Sequence, residues 1–197
     1  MSVTKNSRGR GRPRRFDPDE AVAIAERLFH ARGYEAVSVT EITDALGINP
    51  PSFYSAFGSK LGLYTRVLER YAEAGAVPFA DLLRADRPVA DSLLALLEEA
   101  ARRYVADPAA AGCMVVEGTR CEDAQARAAA RAYNLAAEKA IRDYVAARHP
   151  ADADRITDFV ATTMFGLSGK ARGGHGLDQL LATARFAGSA IVQALGD

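Results

Sequence analysis

Apolar residues recur at the spacing of an α-helix along nearly the whole chain, and runs that alternate like a β-strand are almost absent. The spacing predicts long helices over about residues 89–106, 122–148, 153–172 and 177–195. With 197 residues, 49% of them hydrophobic, the chain has enough apolar material for a buried core in one or two domains. We therefore predict an all-α protein.

The first helix has clear start and stop signals. Asp17 is a good capping residue, Pro18 suits the first helical position, and Glu20 is placed to complete a capping box. Gly33 is a natural terminator. These signals predict a helix over residues 18–32.

Two short helices follow, separated by a tight turn. Ser38 and Glu41 predict a capping box at the start of one short helix, which stops at Gly47. After "GIN", the segment "PPSFYSAFG" forms the next short helix, and Ser59 caps a longer one. Short helices joined in this way and packed on a preceding helix predict a helix-turn-helix unit.

The run "VSVTEITDALGINPPSFYSAFGSKLGLY", residues 37–64, resembles the DNA-binding region of TetR/AcrR-family transcriptional regulators. The resemblance is strong over about residues 16–70 and rests on length and helicity elsewhere. It implies a three-helix DNA-binding domain over residues 16–62 and a helical effector-binding and dimerisation domain over residues 63–197. Residues 1–15 are expected to form a disordered basic arm that orders on DNA.

The segment "PPSFYSAF" has the pattern of a recognition helix, with Phe53 and Phe57 as inward anchors. The residues expected to face the major groove are Ser52, Tyr54, Ser55 and Ala56. The segment lacks the Arg, Asn or Gln side chains that make bidentate base contacts. We therefore expect modest direct base readout, with a larger share of apolar contacts to thymine methyl groups.

The resemblance implies that Tyr54 and Lys60 contact phosphates. Lys60 starts the following helix, where backbone N–H groups also bind phosphate. Ser38 and Thr40, at the start of the preceding short helix, are expected to do the same. Two simpler interpretations stay open: Ser38 is only a cap, and Tyr54 is only a ring at the edge of the core.

The pair Pro50–Pro51 departs from the family pattern. A residue before proline is pushed towards an extended conformation, so we expect Pro51 to be the first helical residue and Pro50 to occupy the cap. Asn49 then either satisfies a helix N–H or reaches DNA. We include Asn49 and Pro50 among the candidate DNA-binding residues.

The basic arm offers a second DNA-binding element. Residues 1–70 carry 11 Lys and Arg against 8 Asp and Glu, although the whole chain has a formal net charge of +0. Arg10-Gly11-Arg12-Pro13 resembles the core of an AT-hook, whose arginines enter the narrow minor groove of A·T-rich DNA. We predict minor-groove contacts from Arg10, Arg12 and Arg14; the alternative is a solvated tail that attracts DNA non-specifically.

The last two helices carry wide apolar surfaces. Leu180, Ala184, Ala187 and Ile191 form one stripe, and Phe159 lies on the helix before. The resemblance implies that these helices form a four-helix bundle with a second copy, so we predict a homodimer through these residues. The alternative is that both helices simply bury against their own domain.

The resemblance also implies a pocket for a small, often hydrophobic effector, with candidate lining residues Tyr104, Cys113, Met114, Tyr133 and Phe165. Each of these side chains has an alternative role in the core. At a predicted helix start, near Arg120, the Cys113 thiol is a candidate for a lowered pKa and for redox or electrophile sensing. The simpler interpretation is a small buried apolar residue.

Other function classes lack support in the sequence. No catalytic triad order, metal-ligand pair or dinucleotide fingerprint is present, so we expect no enzyme, no metal and no cofactor. No apolar run is long enough to span a bilayer and no signal peptide is visible, so we expect a cytoplasmic, nucleoid-associated protein. We predict a repressor that binds a palindromic operator as a dimer and is released by a small molecule. The alternative is an architectural protein that uses the arm to bind A·T-rich DNA.

Overall fold

Ten α-helices and no β-strand make up residues 17–196, the part of the chain that this computed structural model describes. In chain order they are α1 (Pro18–Arg32), α2 (Val39–Leu46), α3 (Pro50–Phe57), α4 (Lys60–Arg70), α5 (Phe79–Leu82), α6 (Val89–Tyr104), α7 (Met114–Gly118), α8 (Ala124–Ala146), α9 (Ala153–Arg172) and α10 (Leu177–Leu195). The all-α prediction is confirmed, and each predicted long helix is present.

The helix starts in the N-terminal third follow local capping chemistry. The Asp17 carboxylate caps α1 by accepting the backbone N–H of Asp19 at 2.9 Å. At α2 both halves of the capping box between Ser38 and Glu41 are present, and Gly47 ends the helix in the left-handed region with φ 65°. These bounds confirm the predicted α1 and α2, and the second short helix, α3, is also present.

Two hydrophobic cores hold the molecule together. The N-terminal core gathers the buried faces of α1 to α4, including Phe29, Phe53 and Leu63, and continues onto α7 and α8 through Met114 and Ala126. The C-terminal core lies between α6, α8, α9 and α10. The predicted boundary between residues 62 and 63 falls inside α4, whose Leu63, Tyr64, Val67 and Leu68 all belong to the N-terminal core.

The short elements between the long helices have weak sequence signals. A π-helical turn, Tyr71–Gly75, extends α4, and a 3₁₀ turn covers Pro108–Ala110. The helix α5 lies between Pro78 and Pro88, and each proline takes an N-cap position. Elements this short have no usable periodicity. No helix within residues 17–196 is long and apolar enough to cross a membrane.

Candidate functional site

The start of α3 differs from the prediction. Pro50, not Pro51, is the first helical residue, and Asn49 is the N-cap, with its Oδ1 accepting the Ser52 backbone N–H at 2.9 Å. The cap supplies the energy that outweighs the extended preference of a residue before proline. The expectation that Pro50 occupies the cap is therefore wrong. Of the two roles left open for Asn49, satisfying a helix N–H or reaching DNA, the structure shows the first.

The two faces of α3 are divided as predicted except at Ala56, which is predicted to face outward but is half-buried and packs against the N-terminal core. Phe53 and Phe57 are buried, with their rings 5.5 Å apart, and anchor the helix to the N-terminal core. Ser52, Tyr54 and Ser55 are exposed. Tyr54 packs edge-on against Phe53 at 5.3 Å and is still 50% exposed, so its hydroxyl end is free to meet a ligand. This is the geometry of a helix that presents a small polar surface.

The hydroxyl of Ser38 is committed to the cap of α2. It accepts the Glu41 N–H at 3.1 Å and donates to the Glu41 carboxylate at 2.9 Å. Hydrogen bonds from the Ser38 backbone, Arg32 and the Ser38 hydroxyl lower the pKa of Glu41 to about 2. The predicted cap at Ser38 is therefore present, and a phosphate contact from this residue remains a prediction. Thr40, two residues after Ser38, is exposed.

Lys60 lies at the first position of α4, as predicted, but its ammonium group is already engaged. It sits 4.2 Å from the centre of the Tyr34 ring, and partial burial lowers its pKa. A phosphate bound at this helix start would meet both the ammonium group and free backbone N–H groups. The predicted arm contacts of Arg10, Arg12 and Arg14 lie outside the described residues.

A cavity of about 280 Å³ lies between the π-turn, α6, α7, α8 and α9. Four predicted residues line it: Tyr104, Cys113, Tyr133 and Phe165. Met114 does not, because its side chain points to the other side of α7 and is buried in the N-terminal core. Alanines of α8, together with Asn134 and Glu138, also line the cavity and were not predicted to do so. The small-residue pattern of "LAAEKA", residues 135–140, is the signal for this wall of the cavity.

The pKa of the Cys113 thiol is shifted in the direction opposite to the predicted lowering. Burial raises its pKa, and this exceeds the lowering by hydrogen bonds from the Val116 and Val115 backbone and from the tyrosines Tyr71 and Tyr104. Arg120 is exposed and lines a different cleft, beside Cys121. A raised pKa opposes thiolate chemistry and favours the interpretation of Cys113 as a wall of the cavity.

The wall of the cavity is joined to α1 at Gly112 and Cys113. The Cys113 N–H donates to Ser168 of α9 at 2.9 Å, and the Gly112 N–H donates to the Tyr104 carbonyl at 2.8 Å. His30, at the end of α1, lies 3.1 Å from the Gly112 carbonyl oxygen. The N-terminal core and the cavity therefore meet at the same short segment of backbone, Gly112 and Cys113.

Only some of the predicted dimer residues are exposed enough to contact a second copy. Ala184 and Ile191 are enclosed in the C-terminal core, and Leu180 and Ala187 form only the floor of a groove between α9 and α10. This stripe packs against α6 of the same chain. For most of the stripe, the alternative prediction of burial within its own domain is therefore correct. Phe159 is 40% exposed at the groove, and the neighbouring face carries Phe186, which is 81% exposed.

The comparisons with known proteins decide the family. The model of the "Bacterial regulatory proteins, tetR family" matches residues 22–67. The HTH-type transcriptional repressor BdcR of Escherichia coli K12 is 56% identical over 191 residues, which are 97% of each chain. This chain belongs to the TetR family of regulatory proteins. The resemblance found in the sequence is thus confirmed.

Two further relatives also match most of the chain. The transcriptional repressor ComR of Escherichia coli K12 is 26% identical over 88% of each chain. The solved structure of a cysteine mutant of the TetR-family regulator CifR, bound to a 26-base-pair operator DNA, superposes with a TM-score of 0.82. CifR is 32% identical, covering 91% of this chain and 99% of that one.

As a TetR-family protein this chain is a DNA-binding transcriptional regulator, whose partners are double-stranded DNA, a second copy of itself and a small-molecule effector. Residues 17–196 bring no three His, Cys, Asp or Glu side chains together in a group that could hold a metal ion.

Proposed function

We propose that this TetR-family protein is a repressor that binds a palindromic operator as a homodimer and leaves it when a small molecule fills the cavity. The observation that carries the proposal is the capped helix α3, which presents Ser52, Tyr54 and Ser55 to solvent above two buried aromatic anchors. Its relatives BdcR and ComR are named as transcriptional repressors.

The DNA contacts that we propose come from three helix starts. In α3, Ser52, Tyr54 and Ser55 would enter the major groove, and the amide of Asn49 would reach the adjoining backbone while its oxygen caps the helix. Other proposed phosphate contacts come from Ser38, Thr40 and Lys60. Because α3 has no long polar side chain for bidentate readout, half-site specificity would depend on apolar contacts and DNA shape.

The dimer would form across the groove between α9 and α10. Phe159 and Phe186 flank this groove, and Gly166 opens onto it; beyond its own neighbours and helix backbone, a Cβ there would have no atom of the described chain within 4 Å. A second copy related by a two-fold axis would bury both rings in each groove. A Phe side chain that becomes fully buried contributes about 1.5–3 kcal/mol.

Release would follow from differential binding. An effector lowers operator affinity only if it binds the DNA-free arrangement of the dimer better than the DNA-bound one, and the coupling is reciprocal. The shared backbone at Gly112 and Cys113 gives the cavity a direct connection to α1. We further propose that the protein acts by binding alone, without catalysis, and works in the cytoplasm at the nucleoid, where operator DNA is found.

Selection of DNA from a random library by the full chain tests the proposal. We expect one palindromic motif with two half-sites, and complete loss of the motif in Ser55→Glu, which places a carboxylate on the outward face of α3. The control is Ala147→Glu, which adds the same charge at the far end of α8. Diffuse A·T-rich binding that survives Ser55→Glu would instead support an architectural protein that binds through its arm.

A further inference from the structure

The wall of the effector cavity is apolar except along one side of α8. Alanine, valine and aromatic side chains form most of it, and α8 adds Asn134 and Glu138 next to a row of alanines. Cavities of this kind bind a mostly apolar ligand and fix its orientation with a few polar groups. The polar end of the ligand therefore belongs next to Asn134 and Glu138.

Glu138 is the one carboxylate among the described cavity residues, and none of them is a lysine, arginine or histidine. The other ionisable groups there are Tyr104, Tyr133 and Cys113, and burial raises the pKa of each, which keeps it neutral. The cavity consequently has a negative end and no positive group to offset it.

The hydrogen bond within this pair determines what it can still recognise. The Asn134 amide donates to Oε1 of Glu138 at 2.7 Å. The groups left without a partner are mostly hydrogen-bond acceptors. Oδ1 of Asn134 and the second carboxylate oxygen of Glu138 can still accept, and only one amide hydrogen of Asn134 can still donate. A ligand head that donates hydrogen bonds satisfies these oxygens, and a second carboxylate would leave two anions facing each other in an apolar site.

We propose that the effector is an apolar molecule that ends in a hydrogen-bond donor, an amine or a hydroxyl, and that Glu138 excludes carboxylates of the same size. This inference rests on the proposed function, because it concerns the molecule that fills the cavity of the repressor. The Glu138 carboxylate thus limits the class of ligand, whereas the apolar walls of the cavity by themselves would not.

An outer groove of about 260 Å³ continues from the cavity along α8 and shares Asn134, Glu138 and Phe165 with it. Arg131 lines this groove and not the cavity, and it has no side-chain partner among the described residues. A carboxylate anchored on Arg131 is therefore the rival arrangement, and its apolar chain would have to pass the Glu138 carboxylate to reach the cavity.

The test compares octylamine, octanol and octanoate, which share one apolar chain and differ in the head group. Isothermal titration calorimetry on the full chain measures binding, and fluorescence anisotropy of a library-selected operator measures release. We expect octylamine and octanol to bind at least about tenfold more tightly than octanoate. In Glu138→Gln, which keeps the shape and removes the charge, we expect this preference to fall to about threefold or less.

Asp143→Asn is the matched control, because it removes one carboxylate from an exposed position of the same helix; we expect it to keep the full preference. Octanoate that binds as tightly as the other two, a preference that persists in Glu138→Gln, or no binding by any of the three would overturn the proposal. Calorimetry is independent of DNA, so ligand binding without any operator binding would reject the proposed function and leave the ligand class standing.

Discussion

Nε2 of His30, in the last turn of α1, lies 3.1 Å from the carbonyl oxygen of Gly112, the residue before the cavity-lining Cys113. The His30 ring also packs edge-on against Tyr71, with the ring centres 5.4 Å apart. Arg172 of α9 donates to the backbone carbonyl of His30 at 2.8 Å, so this histidine is held from two sides. The end of α1 is thus fixed to the loop that carries the cavity wall.

We expect His30→Phe to weaken the connection between cavity and DNA. The Phe ring keeps the contact with Tyr71 but leaves the Gly112 carbonyl without its partner, at a cost of about 1 kcal/mol in the free energy of unfolding. Urea unfolding measures this cost. Ligand affinity should change little, whereas ligand-driven release of operator should become less complete; release equal to that of the unmodified protein would show that coupling runs elsewhere.

The same histidine should make stability depend on pH. Burial is the main cause that lowers the pKa of His30 below its ordinary 6.5, so the folded protein prefers the neutral ring. The unfolded chain then binds more protons, and the stability that neutral His30 contributes is present above pH 6.5 and is lost as the pH falls through the lower folded pKa. Melting temperatures from about pH 8 to about pH 5 should decline less steeply in His30→Phe; parallel curves would contradict this assignment.

Substitutions at Asn49 separate its cap from its proposed DNA contact. Asn49→Ala removes the acceptor for the Ser52 N–H and should cost about 1 kcal/mol of stability. Asn49→Ser keeps a capping oxygen but loses the amide, so the melting temperature should hold while operator affinity falls by roughly tenfold. If Asn49→Ser binds operator as tightly as the unmodified chain, Asn49 is a cap and nothing more.

Phe186→Glu should break the dimer. The ring is 81% exposed in the isolated chain, so a charge there costs the protomer little, but it would be buried at the proposed interface. We expect the dissociation constant of the dimer to rise by at least about 30-fold, measured by sedimentation equilibrium. The control is Leu135→Glu. Leu135 is also an exposed apolar residue but lies on α8, away from the groove between α9 and α10, so the dimer should stay intact.

Deletion of residues 1–15 tests the arm. If Arg10, Arg12 and Arg14 lie in the minor groove, operator affinity should fall and the preference for flanking A·T pairs should disappear. The slope of log affinity against log salt should become shallower by roughly 0.9 for each phosphate that the arm neutralises in the full chain. An unchanged slope would mean that the arm does not touch DNA.

The bounds of α1 and α2 could be determined from the sequence alone because capping is local, whereas the start of α3 could not. The Ser38–Glu41 box closes within four residues and Gly47 ends α2 through its own backbone, so no distant residue is needed to place them. The division of α3 into buried Phe53 and exposed Ser52 follows from its periodicity in the same way.

Tertiary structure decided what each apolar face touches. The stripe through Leu180 and Ala184 has the same pattern whether it packs on a second copy or on α6, and only the fold shows that α6 covers it and leaves Phe186 exposed. The direction of the Cys113 pKa and the charged end of the cavity at Glu138 depend on burial by helices far apart in the chain. Burial is a property of the assembled helices, whereas a cap is a property of neighbouring residues.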